Sequence, residues 1–178
     1  MEESLLEKLG WKKYIGMETE TKTGEPVQAR DIRRYALAID ESNPEYYNEE
    51  AAKKGKYGKL AAPPGFICWS IQDPKLEKRY DELGEDGLSN FLGVPEFPDA
   101  WSLGWVRAGE EYEFLKPVFV GDTISVKLKL LDVFEKHGRS GHLIFTTSEA
   151  RYTNQDGELL AIQKITMIAT PRKGETNE

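Results

Sequence analysis

Alternation of hydrophobic and polar residues dominates the C-terminal part of the chain. In "TISVKLKLL", Val126, Leu128 and Leu130 are separated by lysines, and similar runs follow after Trp101 up to the "ATPR" segment. A period of two places successive side chains on opposite faces of a strand, so this region is predicted to form antiparallel strands. Four runs are expected, arranged as a meander, with "NQDG" as the turn of the last hairpin.

Helical spacing is found earlier in the chain. Residues 4–9 predict a short amphipathic helix, and residues 29–39 carry apolar side chains at helical intervals. An extended segment precedes the second of these helices. Residues 44–54 predict a further short helix, with Asn43 as its N-cap and Gly55 at its end.

A third helical segment, "PPGFICWSIQD", is apolar around its whole circumference. It is predicted to begin near Pro63 or Pro64, to end before Pro74 and to be buried. Residues 73–100 follow as a long excursion rich in Gly, Pro and charge, and such loops are usually lids or partner contacts. The pattern therefore predicts an α+β fold, in which a strongly bent antiparallel sheet wraps one buried central helix.

Charge and cysteine content narrow the function classes. A net charge of -7 and a pI near 5.1 argue against a broad surface for nucleic acid or anionic lipid. The lysines of "KKGKYGK" are interpreted as a solvated helix end and loop. A single cysteine, Cys68, excludes an intrachain disulfide and is expected to be a buried, inert thiol.

Ligand clusters and targeting signals are also expected to be absent. No grouping of His, Cys, Asp and Glu suggests a metal site. The acidic start "MEESLLEKLGWKK" lacks an apolar signal core, and no run reaches the length needed to span a membrane, so we expect a cytoplasmic protein.

Several ordered motifs together point to a known family. The segments "YALAIDESNPEYYNEEAAKKG", "APPGF", "RAGEEYEFLKPVFVGDT" and "DVFEKHGRSGHLIFTTSEARYTNQDGELLA" resemble the MaoC-like hot-dog dehydratases, in particular the fatty-acid-synthase-type-I-like dehydratase branch. The resemblance covers residues 27–171. It implies one hot-dog domain over residues 1–171, with an insertion at about 73–100 and a disordered tail at 172–178.

The resemblance also implies a reaction. Members reversibly hydrate a trans-2-enoyl thioester, or dehydrate an (R)-3-hydroxyacyl thioester, carried on coenzyme A or acyl carrier protein, and no cofactor is expected. Hot-dog domains of this kind commonly dimerise by joining their sheets. Neither nucleic acid nor a membrane is an expected partner.

The catalytic loop of active members has the form Gly-Asp-x-Asn-Pro-x-His. Aligning on Asn43-Pro44 places Asp40 at the Gly position, Glu41 at the Asp position and Tyr46 at the His position. A tyrosine with a free pKa near 10 is a poor replacement for a group that exchanges protons near neutrality. His137 and His142 are predicted to be exposed and to lack a paired carboxylate, so neither is expected to restore the site.

Further substrate contacts are predicted from the same resemblance. Pro63, Pro64, Gly65, Phe66 and Trp69 open the central helix, where the N–H of Gly65 or Phe66 could face a thioester oxygen. Arg107 could meet a phosphate of coenzyme A, although a surface pair with Glu110 or Glu111 is favoured. Apolar residues of the excursion are expected to line the acyl channel: Phe91, Leu92, Phe97 and Trp101.

Three functions remain open from the sequence. The favoured one is a non-catalytic subunit that shapes the acyl channel, while a MaoC-like partner supplies Asp and His. The second is a homo-oligomeric hydratase that uses Glu41, with help from Asp40, and the third is an acyl-thioester binding module without chemistry. The sequence leaves open the acyl group and the carrier.

Overall fold

Helices occupy the first part of the chain and long strands the second. The structure, a computed structural model, describes residues 4–68, 97, 99–138 and 141–172. The α-helices are α1 (Leu5–Leu9), α2 (Ala29–Ala38) and α3 (Glu49–Lys54), and 3₁₀ turns cover Trp11–Tyr14, Pro44–Tyr46 and Ala100–Ser102. The strands are β1 (Lys22–Pro26), β2 (Leu103–Phe114), β3 (Thr123–Gly138), β4 (Gly141–Thr153) and β5 (Leu159–Pro171).

These five strands form one curled antiparallel sheet, which confirms the predicted fold class. Their order, β1-β3-β4-β5-β2, shows that the predicted meander was wrong, because β2 lies beside β5 and not beside β3. The β3 edge is occupied by β1 instead. After β2, the amides of Leu115 and Lys116 still bond to the Leu160 carbonyl, and the chain then passes to β3 through a turn at Gly121.

The concave face of the sheet carries the main core. Alternate positions of β3, β4 and β5 are buried there, including Val126, Leu128 and Ile165, and they pack with Phe66 and Ile67. Helical backbone runs through residues 66–68, where the central helix was predicted to begin. The remainder of that helix, most of the excursion at 73–100 and residues 173–178 lie outside the described residues.

A second cluster closes the other end of the sheet. Trp11 is fully buried, and its ring stacks on Phe97 with centroids 4.5 Å apart and on Trp105 at 5.8 Å. Leu6 of α1 and Leu130 of β3 belong to the same cluster. The N-terminal segment is therefore fixed to the sheet by aromatic packing.

Two asparagines divide the predicted helix at 44–54. The Asn43 side chain accepts the Glu45 N–H at 3.1 Å, which confirms it as a cap, but the turn that it starts ends at Tyr46. The Asn48 side chain then accepts the N–H groups of Glu50 and Ala51 and starts α3, which ends at Gly55 as predicted. Side-chain capping competes with helix continuation, so one continuous helix was the wrong prediction.

None of the helices within the described ranges is long and apolar enough to cross a membrane.

Candidate functional site

The turn after α2 keeps an unusual backbone geometry at Asp40. Its φ is +53°, in the left-handed region that glycine adopts without strain. The N–H of Glu41 bonds to Ala36 O at 2.9 Å and that of Asp40 to Leu37 O at 3.2 Å, which forms a Schellman cap. The motif aligned from sequence has glycine at this position, which agrees with a left-handed backbone there. The Asp40 side chain itself is exposed.

Glu41 and Asn43 hold the loop together through short-range contacts. The Glu41 Oε1 atom accepts the Asn43 N–H at 2.9 Å, and both residues are half-buried. The Asn43 side chain is in turn occupied by the Glu45 N–H. Both residues of the aligned loop therefore serve its conformation.

This loop forms one wall of a cleft of ≈ 210 Å³. A second wall is the start of the central helix, and a third is the crossing segment after β2. The cleft brings together three predicted site residues, Tyr46, Pro63 and Pro64. The complete lining comprises Tyr46, Lys56, Tyr57, Ala62, Pro63, Pro64, Ile67, Phe114, Leu115, Lys116, Pro117 and Val118.

Tyr46 is the residue that the sequence resemblance aligns with the histidine of active members. Burial raises the pKa of its phenol above the ordinary value of 10, and the neighbouring Tyr57 and Glu41 raise that pKa further. The phenol is therefore protonated at neutral pH. In that state it donates a hydrogen bond and does not act as a base.

Gly65 and Phe66 differ as hydrogen-bond donors. The Phe66 N–H already bonds to Pro63 O at 2.9 Å, and its ring is buried against Tyr35, so this amide is engaged within the chain. Among the described residues, no acceptor bonds to the Gly65 N–H. Gly65 is the better candidate donor, whereas Trp69 lies outside the described residues.

A hydrogen-bonded network lies on the concave face beside the cleft. Arg107 donates to Glu110, as the favoured interpretation predicted, and Tyr112 donates to the same carboxylate. The buried Gln163 donates to the Tyr112 hydroxyl at 2.6 Å and accepts from Tyr152 at 2.5 Å. Sequence reasoning missed this network, although Glu110 and Tyr112 share a face of β2 by their spacing.

The ring of Tyr112 connects the network with the cleft. The ring of Tyr112 stacks on that of Phe114, which lines the cleft, with centroids 5.5 Å apart. Cys68 borders the hydroxyls of Tyr112 and Tyr152, and burial raises the pKa of its thiol. A protonated, half-buried thiol agrees with the inert role predicted for it.

The histidines lie away from the cleft lining. His142 pairs through Nδ1 with Glu135, and both side chains are largely buried. The prediction of an exposed His142 without a carboxylate was therefore wrong, because β3–β4 pairing brings the two residues together across the hairpin. His137 is exposed. Within the described ranges, no group of three or more His, Cys, Asp or Glu could hold a metal ion.

One further prediction on the acyl channel needs correction. Phe97 belongs to the second core cluster with Trp11 and is absent from the cleft lining, because stacking on the indole buries it there. Phe91, Leu92 and the Trp101 side chain lie outside the described residues.

One family model and several relatives match most of this chain. Residues 13–163 match the family described as "FAS1-like, dehydratase domain region". A probable enoyl-CoA hydratase alpha subunit of Thermomonospora curvata is 26% identical over 159 residues; the match covers 86% of this chain but only 48% of the relative's length. A UPF0336 protein of Saccharopolyspora erythraea is also 26% identical, with 88% of both chains covered.

Solved structures share the fold at low sequence identity. A chain of the ChsH1-ChsH2 complex from Mycobacterium tuberculosis has a TM-score of 0.69 at 20% identity, with 96% of this chain and 93% of that chain covered. A chain of the HadBC (3R-hydroxyacyl-ACP dehydratase) complex from the same organism has a TM-score of 0.60 at 22% identity, with 87% and 96% covered.

Proposed function

The chain belongs to the FAS1-like dehydratase domain family, and from this premise we propose that it is the channel-forming subunit of a heteromeric enoyl-thioester hydratase or 3-hydroxyacyl-thioester dehydratase. A MaoC-like partner with an intact Asp and His supplies the proton transfers. This chain contributes the cleft between its degenerate loop and the start of the central helix.

The state of Tyr46 is the observation that carries the proposal. Addition of water to an enoyl thioester needs one group that removes a proton from water and one that delivers a proton to the α-carbon. The Tyr46 phenol, with its pKa raised by burial, remains protonated in the neutral range and fills the place of the base. The loop around it retains its caps, so architecture is kept while the proton-transfer pair is replaced.

The descriptions of the relatives support an enzyme built from two different subunits. The relative in Thermomonospora curvata carries the description of an alpha subunit and is about twice as long as the matched segment. Both structural neighbours cited above come from two-component complexes. A separate catalytic partner is therefore the arrangement that we propose for this chain.

Strand β2 supplies a surface for that partner. Among the described residues it is an edge strand of the sheet over twelve residues, Leu103–Phe114, with no strand on its outer side, and edges of this length are usually covered in a functional assembly. Apolar side chains are exposed along and just after it, including Val106, Phe114 and Leu115. Phe114 and Leu115 also line the cleft, so a partner joined to this edge would lie next to the bound acyl group.

Within this assembly the chain's own groups have defined roles. We assign to the Gly65 N–H, which follows Pro64 of the cleft wall but is not itself part of the lining, the role of polarising the thioester carbonyl as negative charge develops on its oxygen. The Tyr46 hydroxyl donates a hydrogen bond to the substrate. The apolar wall formed by Ile67 and Val118 excludes water from the acyl group.

Loss of enoyl absorbance with trans-2-enoyl thioesters tests the proposal. We expect no turnover by the purified chain alone, and turnover when it is mixed with a MaoC-like chain that has an intact Asp and His. Replacing that Asp and His in the partner should abolish turnover of the mixture. Glu41→Gln in this chain should not abolish it, and should lower the rate of the mixture only as far as the change destabilises the loop. Turnover by this chain alone that is lost in Glu41→Gln would establish the self-sufficient hydratase instead.

A further inference from the structure

The mouth of the cleft is basic in an otherwise acidic protein. Lys56 and Lys116 line the cleft directly. Lys59 lies close by, because its Nζ is 3.8 Å from the ring centroid of Phe119, and that ring contacts Tyr57 of the cleft edge-on at 5.9 Å. The chain as a whole carries a net charge of -7, so two lysines in the cleft lining with a third nearby are a local exception.

Two of these lysines are available for a ligand. The Lys56 Nζ lies 5.0 Å from the ring centroid of Tyr57. Neither Lys56 nor Lys59 forms an ion pair with any carboxylate of the described residues; both rest on aromatic rings instead. Lys116 pairs with Glu158, but both side chains are about half exposed, and exposed pairs exchange partners at little cost.

Arg107, the phosphate contact considered from sequence, is less suitable. Its guanidinium is bound to Glu110 within the hydrogen-bonded network, and Arg107 is not part of the cleft lining. Lys56 and Lys116, which line the cleft, and Lys59 beside them are therefore better placed than Arg107 to meet a charged ligand.

From this arrangement we infer that Lys56, Lys59 and Lys116 bind the phosphates of a nucleotide-bearing thioester carrier, with the 3′-phosphorylated nucleoside diphosphate of coenzyme A as the ligand. The inference rests on the proposed function and specifies the carrier. Compact ammonium groups are suited to phosphate as point charges. The apolar interior of the cleft then receives the acyl group, and its basic mouth receives the charged end of the carrier.

The surroundings favour a nucleotide over an acidic carrier protein. The rings of Tyr57 and Phe119 lie beside the lysines and provide apolar faces for a purine. Recognition of a protein would require a wide basic surface, whereas Glu45, which accepts the Lys56 N–H, and Glu158, which pairs with Lys116, interrupt the positive charge.

Binding without turnover provides the first test. Calorimetry on the wild-type chain should show coenzyme A binding at least about ten-fold more tightly than pantetheine, which lacks every phosphate. The Lys56→Gln/Lys59→Gln variant should lose about ten-fold or more of the coenzyme A affinity. The preference of the wild type for coenzyme A over pantetheine should decrease with added salt. The matched control Lys129→Gln, on an exposed position of β3, should bind like the wild type.

Equal affinity of the wild type for coenzyme A and pantetheine would overturn the inference, as would unchanged affinity in the double variant. Loss of binding to an acidic acyl carrier protein in that variant, with coenzyme A binding unaffected, would assign the lysines to a protein carrier and would also overturn it.

Kinetics in the mixed complex separate this inference from the proposed function. We expect the double variant to lose about ten-fold in the ratio of kcat/KM between an enoyl-coenzyme A and the matching N-acetylcysteamine thioester. An unchanged ratio in an active complex contradicts only the lysine site. A complex without any turnover, but with the expected pattern of coenzyme A binding, contradicts only the proposed enzyme.

Discussion

The hydroxyl of Tyr35 lies against the backbone of Gly65, so that a Cβ atom at Gly65 would be only 2.4 Å from the hydroxyl oxygen. The ring of Tyr35 is itself held edge-on against Phe66, with centroids 5.6 Å apart, and has little freedom to move away. We expect Gly65→Ala to lower the free energy of unfolding by about 1–3 kcal/mol through overpacking, as measured by urea denaturation.

The Tyr35→Phe background is the matched control for this contact. After removal of the hydroxyl, the nearest atom to the new Cβ would be Cζ of residue 35 at 3.6 Å, an ordinary van der Waals distance. Gly65→Ala should therefore cost much less in Tyr35→Phe than in the wild type. An equal cost in both backgrounds would show that a different contact makes glycine necessary.

The hydrogen-bonded network around Gln163 leads to a second prediction. Gln163 is 3% exposed and satisfies both the Tyr152 and the Tyr112 hydroxyls. Gln163→Leu would remove the acceptor of the buried Tyr152 hydroxyl, so we expect the free energy of unfolding to decrease by about 1–3 kcal/mol. Lys164→Gln, one residue later on the exposed face of β5, should be close to neutral in the same urea titration. A neutral Gln163→Leu variant would mean that these hydroxyls find other partners.

Much of the sheet and of the cleft could be predicted from sequence, because both depend on local patterns. Alternation at Val126, Leu128 and Leu130 correctly predicted a strand with one buried face. The Asn-Pro alignment placed Tyr46 in the loop that now forms one wall of the cleft. Even the left-handed backbone at Asp40 follows from its alignment with a glycine.

The remaining features depend on pairing between distant segments. The residues of β2 alone do not predict that it pairs with β5, because strand order depends on the packing of the whole sheet. The Glu135–His142 pair likewise follows from the register of a hairpin. The break at Asn48 was local but ambiguous, since an asparagine can either interrupt a helix or begin one.

Trp11 provides a test of the second core cluster. Its indole is fully buried and stacks on the rings of Phe97 and Trp105. We expect Trp11→Ala to reduce the free energy of unfolding by about 3–5 kcal/mol, as for other large-to-small changes of buried aromatic residues. Chemical denaturation measures this loss, with the exposed neighbour Lys12→Ala as control. A cost below about 1 kcal/mol would indicate that the N-terminal segment adds little to the stability of the sheet.

Glu135 connects the N-terminal helix with the sheet and predicts a dependence of stability on pH. Burial alone would raise the pKa of this carboxyl, but hydrogen bonds from Ser4, His142 and the N–H groups of Leu6 and Leu5 outweigh it and lower the pKa to about 2, from an ordinary value of 4.5. A carboxyl with a lowered pKa in the folded state binds its proton more readily when unfolded. Its stabilising contribution is therefore complete above about pH 4.5 and is lost as the pH falls towards 2.

Glu135→Gln should remove this part of the acid sensitivity. At neutral pH we expect the variant to be less stable than the wild type by on the order of 1 kcal/mol, after allowance for solvent screening, and the difference to shrink between pH 4.5 and 3. Urea denaturation at a series of pH values measures both effects, and Glu113→Gln, an exposed acid on β2, should show neither. If the difference in the free energy of unfolding between Glu135→Gln and the wild type were the same at pH 3 and at pH 7, the Glu135 carboxylate would not be the group that stabilises the packing of α1 on the sheet.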